Sequence, residues 1–189
     1  MALFTFLEIL DILIMTAAVA YIFYSPSQTP RGADYDPLVH YKHGFDWEAF
    51  KFAMLVSSLT IVLHEFGHKF VAMSFGVDAT FHAAYTWLAL GIVLKLMSLP
   101  FIFLVPAFVS FTSVGPFQDS LIALSGPLVN LALWLVPLFI YNKKLLNKKY
   151  NTFLLLTSKL NMTFFIFNML PIPGFDGFSF YSGIINSIL

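Results

Sequence analysis

Five apolar stretches, most of them long enough to cross a lipid bilayer, narrow the folds open to this 189-residue chain more than any other feature. A helix of about 20 apolar residues covers the hydrocarbon core of a membrane. Leu3–Tyr24, Trp47–Phe75, Asp119–Tyr141 and Thr152–Leu170 reach or approach that length. Hydrocarbon offers no water to backbone N–H and C=O groups, so such stretches must fold as helices. Composition points the same way: 11% of residues are charged, where a soluble domain carries about a quarter. Ten basic and ten acidic residues leave no net charge, which argues against nucleic acid as a partner. There is no cysteine, so disulfides, thiolate metal sites and cysteine nucleophiles are excluded.

The stretches are unequal. No Lys or Arg precedes the first one, which carries Glu8 and Asp11. A cleaved signal peptide begins with basic residues, so residues 3–24 are expected to stay as a span. Both acidic groups lie within the first dozen residues and read as interfacial. Residues 25–46 are rich in Pro, Gly and charge and read as an exposed loop. Gly76 is a C-cap candidate for the second span. The fifth stretch, Thr86–Phe111, holds Gly91, Lys95, Pro100 and Pro106 and is the hardest to place.

Within the second span stands "LHEFGHKF", with His64, Glu65 and His68. Residues four apart share a helix face, with Cβ atoms ~6 Å apart. Two imidazoles so placed can chelate one zinc ion, and Glu65 can reach a water on it, the H-E-x-x-H arrangement. His68 is seven residues from Phe75, about 10 Å along a helix. Ionisable groups at such depth are penalised unless they pair, ligate or line a wet cavity. A catalytic zinc needs a third protein ligand and an open position. His40, His43, His82 and the carboxylates are candidates, with Asp176 foremost. It follows a span in "NMLPIPGFDG", where Pro171, Pro173 and Gly174 keep the backbone from being helical. Asp176 can be that ligand, or it can cap the tail helix; spacing does not choose. Asn168 can position a substrate or bond a neighbouring helix. In "ALSGPLVN", Gly126 permits close helix approach, and Asn130 reads as structural. His40, His43 and His82 read as solvated or interfacial.

"HEFGH", "SGPLVN" and "NMLPIPGFDG", in this order, resemble the motifs of the site-2 protease family of intramembrane zinc metalloproteases. The likeness runs from Trp47 to Gly177. It implies three transmembrane helices around one buried Zn2+, with His64, His68 and Asp176 as ligands and Glu65 as general base. It implies that Asn168 positions the substrate, a transmembrane segment of a membrane-anchored protein. The fold expected is an all-α polytopic membrane protein. It has about four transmembrane helices, a re-entrant element with some extended backbone, and a short C-terminal helix. One membrane-embedded domain is expected over 1–189: a first span and loop (1–46), a catalytic core (47–177) with a re-entrant 86–111, and a tail helix (178–189). No stretch of these residues is left over for the PDZ-type or CBS domains that many relatives carry.

Topology supplies a check. The three motifs meet at one membrane level only if Thr86–Phe111 does not cross. Pro100 is then the expected turn, with Phe101–Phe111 returning as an extended segment able to offer an edge strand to an unwound substrate. The loop with Lys143, Lys144, Lys148 and Lys149 falls opposite the motifs. Basic loops favour the cytoplasm, whereas the resemblance implies a site nearer the cytosolic face; the multi-pass orientation leans to the latter. Prenyl-protein-type H-E-x-x-H proteases take a downstream glutamate as ligand, and no Glu follows Glu65. A non-catalytic scaffold or chaperone, or a metal-binding transporter, is the alternative use of the same buried site.

Overall fold

The structure is a computed structural model and describes residues 3–24, 45–99 and 105–189. The chain forms α1 (Phe6–Phe23), α2 (Trp47–Ser74), β1 (Ala79–Ala83), α3 (Tyr85–Leu96), β2 (Ala107–Phe111), α4 (Pro116–Asn142), α5 (Asn151–Asn168) and α6 (Asp176–Ile188). A single 3-10 turn, Lys148–Tyr150, precedes α5.

Helix boundaries follow local chemistry. Thr5 and Glu8 close a reciprocal capping box at the start of α1. Asp46 Oδ1 accepts from the N–H groups of Glu48 (3.1 Å) and Ala49 (3.0 Å) to start α2. Gly76, at φ +84°, lies just beyond the end of α2, where a left-handed backbone stops a helix without a Cβ penalty. Pro116 opens α4, and Pro127 and Pro137 lie inside it.

Among the described residues, three helices, α1, α2 and α4, are long and apolar enough to cross a membrane. Their large outward side chains, among them Leu7, Leu13, Leu55, Leu135 and Phe139, are exposed. Such apolar surface on a helical chain suits lipid better than water. The fourth span expected from the sequence is the 18-residue α5. Lys159, Asn161 and Asn168 make it more polar than the other three. Its polarity turns partly inward: the buried Asn161 amide donates to Thr60 Oγ1 at 2.9 Å.

β1 and β2 form a two-stranded antiparallel sheet, from Ala79 opposite Phe111 to Ala83 opposite Ala107. The stretch 86–111 therefore leaves as α3 and returns as β2 to its starting point. Pro100, the expected turn, and residues 101–104 lie outside the described residues; so do His40 and His43. Met15, Val19, Ile61, Phe81, Leu88 and Ala107 form one apolar cluster that seats the sheet on α1 and α2.

Glu8 is enclosed by protein rather than left on a solvated face. It is 2% exposed and paired with Lys69 of α2, which is 1% exposed. A charged group this deep needs a partner, and the sequence could not show one 61 residues away. Asp11 accepts hydrogen bonds from the Ala83 N–H and the Tyr85 hydroxyl. The bond to Asp11 holds the Tyr85 phenol above its ordinary pKa. Lys95 of α3 donates to the carbonyls of Tyr21, Ile22 and Tyr24 at the end of α1, and burial lowers its pKa.

Candidate metal centre

Helical spacing places His64 and His68 on the face of α2 that packs against α4. Their Nε2 atoms are 3.1 Å apart. The bend through Pro171–Gly174 brings α6 back to them. Asp176 Oδ2 lies 3.1 Å from His64 Nε2, and Oδ1 lies 3.4 Å from His68 Nε2. Phe175 occupies the N-cap position and Asp176 is the first helical residue, with its carboxylate on the histidines. The capping reading of Asp176 is therefore set aside. The three donors lie within 4.8 Å of one another. A tetrahedral ion with ligand bonds of about 2.0–2.1 Å spaces its donors by about 3.3–3.4 Å, so the observed gaps fit an ion of that size. These donors are nitrogen and oxygen, which zinc accepts.

Neighbours fix both rings. His68 Nδ1 lies 2.7 Å from the Ile122 carbonyl oxygen, which can only accept. His64 Nδ1 lies 2.9 Å from Asn130 Oδ1. Each Nδ1–H is thus directed outward and each Nε2 lone pair faces the gap beside Asp176, the tautomer a ligand requires. Asn130 is structural, as the sequence suggests, but its structural role is to hold a ligand. The signal was present: Asn130 is one turn beyond Gly126 and so shares its helix face.

The two motif glycines act by what they lack. A Cβ on Gly126 would lie 2.3 Å from His68 Nε2 and 2.7 Å from His64 Nε2. The backbone of α4 is therefore the back wall of the centre. A Cβ on Gly67 would lie 2.9 Å from the Ser125 carbonyl oxygen, so this glycine lets α2 and α4 close on each other.

Glu65, His64 and His68 are all buried, and with Asn168 and Asp176 they line one cavity of about 740 Å³. Asn168 Nδ2 lies 3.5 Å from His64 Nε2, beside the centre rather than in it. The remaining walls come from β2, the start of α4, α5 and the Ser179–Asn186 part of α6. His82 is elsewhere, 2.9 Å from Ser110 Oγ on the exposed face of the hairpin.

Two buried histidines on a membrane-length helix, a half-buried aspartate brought to them by α6 and an adjoining buried carboxylate describe a membrane-type protein with a donor set able to hold a metal and a base at hand. A protein of Methanocaldococcus jannaschii described as a putative zinc metalloprotease is 30% identical over 175 residues, which span 90% of this chain and 81% of that one. The chain belongs to this zinc metalloprotease family. No family profile matches the chain, and no solved structure does. The kinship does not favour the scaffold or transporter alternatives.

Proposed function

We propose that this metalloprotease is an intramembrane zinc endopeptidase of the site-2 type. On this reading it hydrolyses peptide bonds within or near transmembrane segments of membrane-anchored substrates. The observation that carries the reading is the cavity. It holds the His64–His68–Asp176 donor set and the buried Glu65 among helices whose outer faces are apolar. The chain sits in the cell membrane as a multi-pass protein, with its active site within the bilayer and nearer the cytosolic face.

His64, His68 and Asp176 would hold one Zn2+. When bound, zinc lowers the pKa of a coordinated water and polarises the scissile carbonyl. Glu65 takes the proton of the attacking water and passes it to the leaving amine. Asn168 donates its amide N–H to the substrate backbone.

A helical substrate hides its peptide bonds and must be extended before attack. The main-chain groups of β1 that point away from β2 are those of Ala79, Phe81 and Ala83, as their bonds to Lys69, Glu8 and Asp11 show. By antiparallel alternation, their partners Ala107, Val109 and Phe111 direct N–H and C=O to the open edge of β2. Those three residues line the cavity. An unwound substrate adds there as a third strand.

The test is Glu65→Gln in proteoliposomes with a single-span substrate. Zinc should stay at one ion per chain while cleavage falls about 100- to 10,000-fold, the range for a lost general base. Undiminished cleavage by the variant would defeat the mechanism. A wild-type protein that takes up no zinc when supplied with it would defeat the class.

A further inference from the structure

The buried Glu8–Lys69 pair has no part in the chemistry of the metal centre, yet it is among the most enclosed features of the molecule. A buried ion pair replaced by apolar side chains of similar volume is often no less stable, so stability alone does not explain it. The remaining bonds of the two side chains do. Glu8 Oε1 accepts the Phe81 N–H at 2.8 Å, and Oε2 accepts the Thr5 N–H at 2.8 Å. Lys69 Nζ donates to the Ala79 carbonyl at 2.5 Å. One helical turn along α1, Asp11 Oδ2 accepts the Ala83 N–H at 3.1 Å.

The outer edge of β1 is thus occupied at alternate residues by side chains from α1 and α2. Edge strands are otherwise open to pairing. With β1 closed, the edge of β2 on the cavity is the one left open among the described residues. Lys69 also directly follows His68 in the sequence, so the turn of α2 that carries a metal donor also carries the strand. Lys69 is thus a direct side-chain link between that turn and β1, beside those from Glu8 and Asp11.

We infer that Glu8, Lys69 and Asp11 are substrate-positioning residues that clamp β1 and hold the open edge of β2 in register with the metal centre. This rests on the endopeptidase reading given above. It explains why the first helix, outside the three that carry the motifs, presents two carboxylates to a strand. The clamp acts through main-chain bonds, not through charge alone. Exchanging the charges, Glu8→Lys with Lys69→Glu, keeps an ion pair. However, a lysine at 8 cannot accept from Phe81, and a glutamate at 69 cannot donate to Ala79.

The absence of cysteine makes the experiment direct. Spin labels at Phe108→Cys on β2 and Leu128→Cys on α4, both exposed positions, report the distance from strand to helix by pulsed EPR. The wild-type background should give one narrow distribution. The charge exchange should broaden it while zinc stays at one ion per chain. For a synthetic single-span peptide with a Gly-Pro break near one end, KM should rise about tenfold with kcat within about twofold. Asp11→Leu, a milder change, should move both readouts in the same direction and less far. If the exchanged pair restores the narrow distribution and the KM, the pair is only a staple between helices and the inference is wrong. Loss of zinc and of kcat together would also overturn it, because the role is then general folding. If the wild-type protein cleaves no single-span peptide, the endopeptidase reading fails, and the distance measurement alone decides whether the clamp holds the strand.

Discussion

Adding one methyl group at Gly126 should damage the metal centre without touching any donor. The Cβ of Gly126→Ala would lie 2.3 Å from His68 Nε2, 2.6 Å from His68 Cε1 and 2.7 Å from His64 Nε2. Comfortable contact for such atoms is about 3.5 Å, so the rings must retreat by about 1 Å or α4 must bow away. Overpacking on this scale costs about 1–3 kcal/mol. The strain bears on the two Nε2 atoms themselves, so it is expected to appear as lost metal affinity. At about 1.4 kcal/mol per tenfold, zinc should bind about 5- to 150-fold more weakly. Competition against a chromophoric zinc chelator in detergent measures this, with far-ultraviolet circular dichroism confirming the helices. Leu128→Ala, on the exposed face of the same helix, is the control and should bind as wild type does. Gly126→Ala binding zinc within twofold of wild type would refute the placement of the histidine rings against the α4 backbone.

Other outcomes follow from the same geometry. Asn130→Leu removes the acceptor of His64 Nδ1 and should weaken zinc binding about 10- to 100-fold, read by the same competition. Asp176→Ala should abolish stoichiometric zinc, measured by elemental analysis of the purified protein, while the helical circular dichroism signal persists. Stripping wild-type protein with a strong chelator should stop proteolysis, and added zinc should restore it, followed by gel assay of a single-span substrate. Asn168→Ala should lower kcat/KM for that substrate with zinc retained at one ion per chain.

The parts of the site carried by short local patterns could be read from the sequence. His64, Glu65 and His68 follow from helical periodicity. Asp176 was reachable because Pro171, Pro173 and Gly174 mark where the backbone leaves the helix. Bonds between distant elements were not readable. Glu8 has no partner in view until Lys69 is seen beside it, and no local pattern links position 8 to position 69. The carbonyl of Ile122, which orients His68, belongs to every residue type alike and leaves no trace in a sequence. The helix α5 shows a milder version of the same difficulty. Its asparagines lower the apolar average, although Asn161 and Asn168 face the interior, where hydropathy is a poor guide. Gly126 was legible as a packing residue, but what it packs against was not.

The closed hairpin bears on how such a chain can change. Ala83 lies opposite Ala107, and the Ala84 N–H bonds the Pro106 carbonyl at 3.0 Å. Chain that departs after β1 is thus sewn back to its point of departure before α4 begins. Whatever is spliced between the two stitches, whether a longer helix, a reporter domain or a regulatory module, lengthens the chain between His68 and Asp176 yet leaves the paired ends of β1 and β2 together. The segment works as a cargo bay on the protein, where new parts can be taken on while the donor atoms keep their spacing.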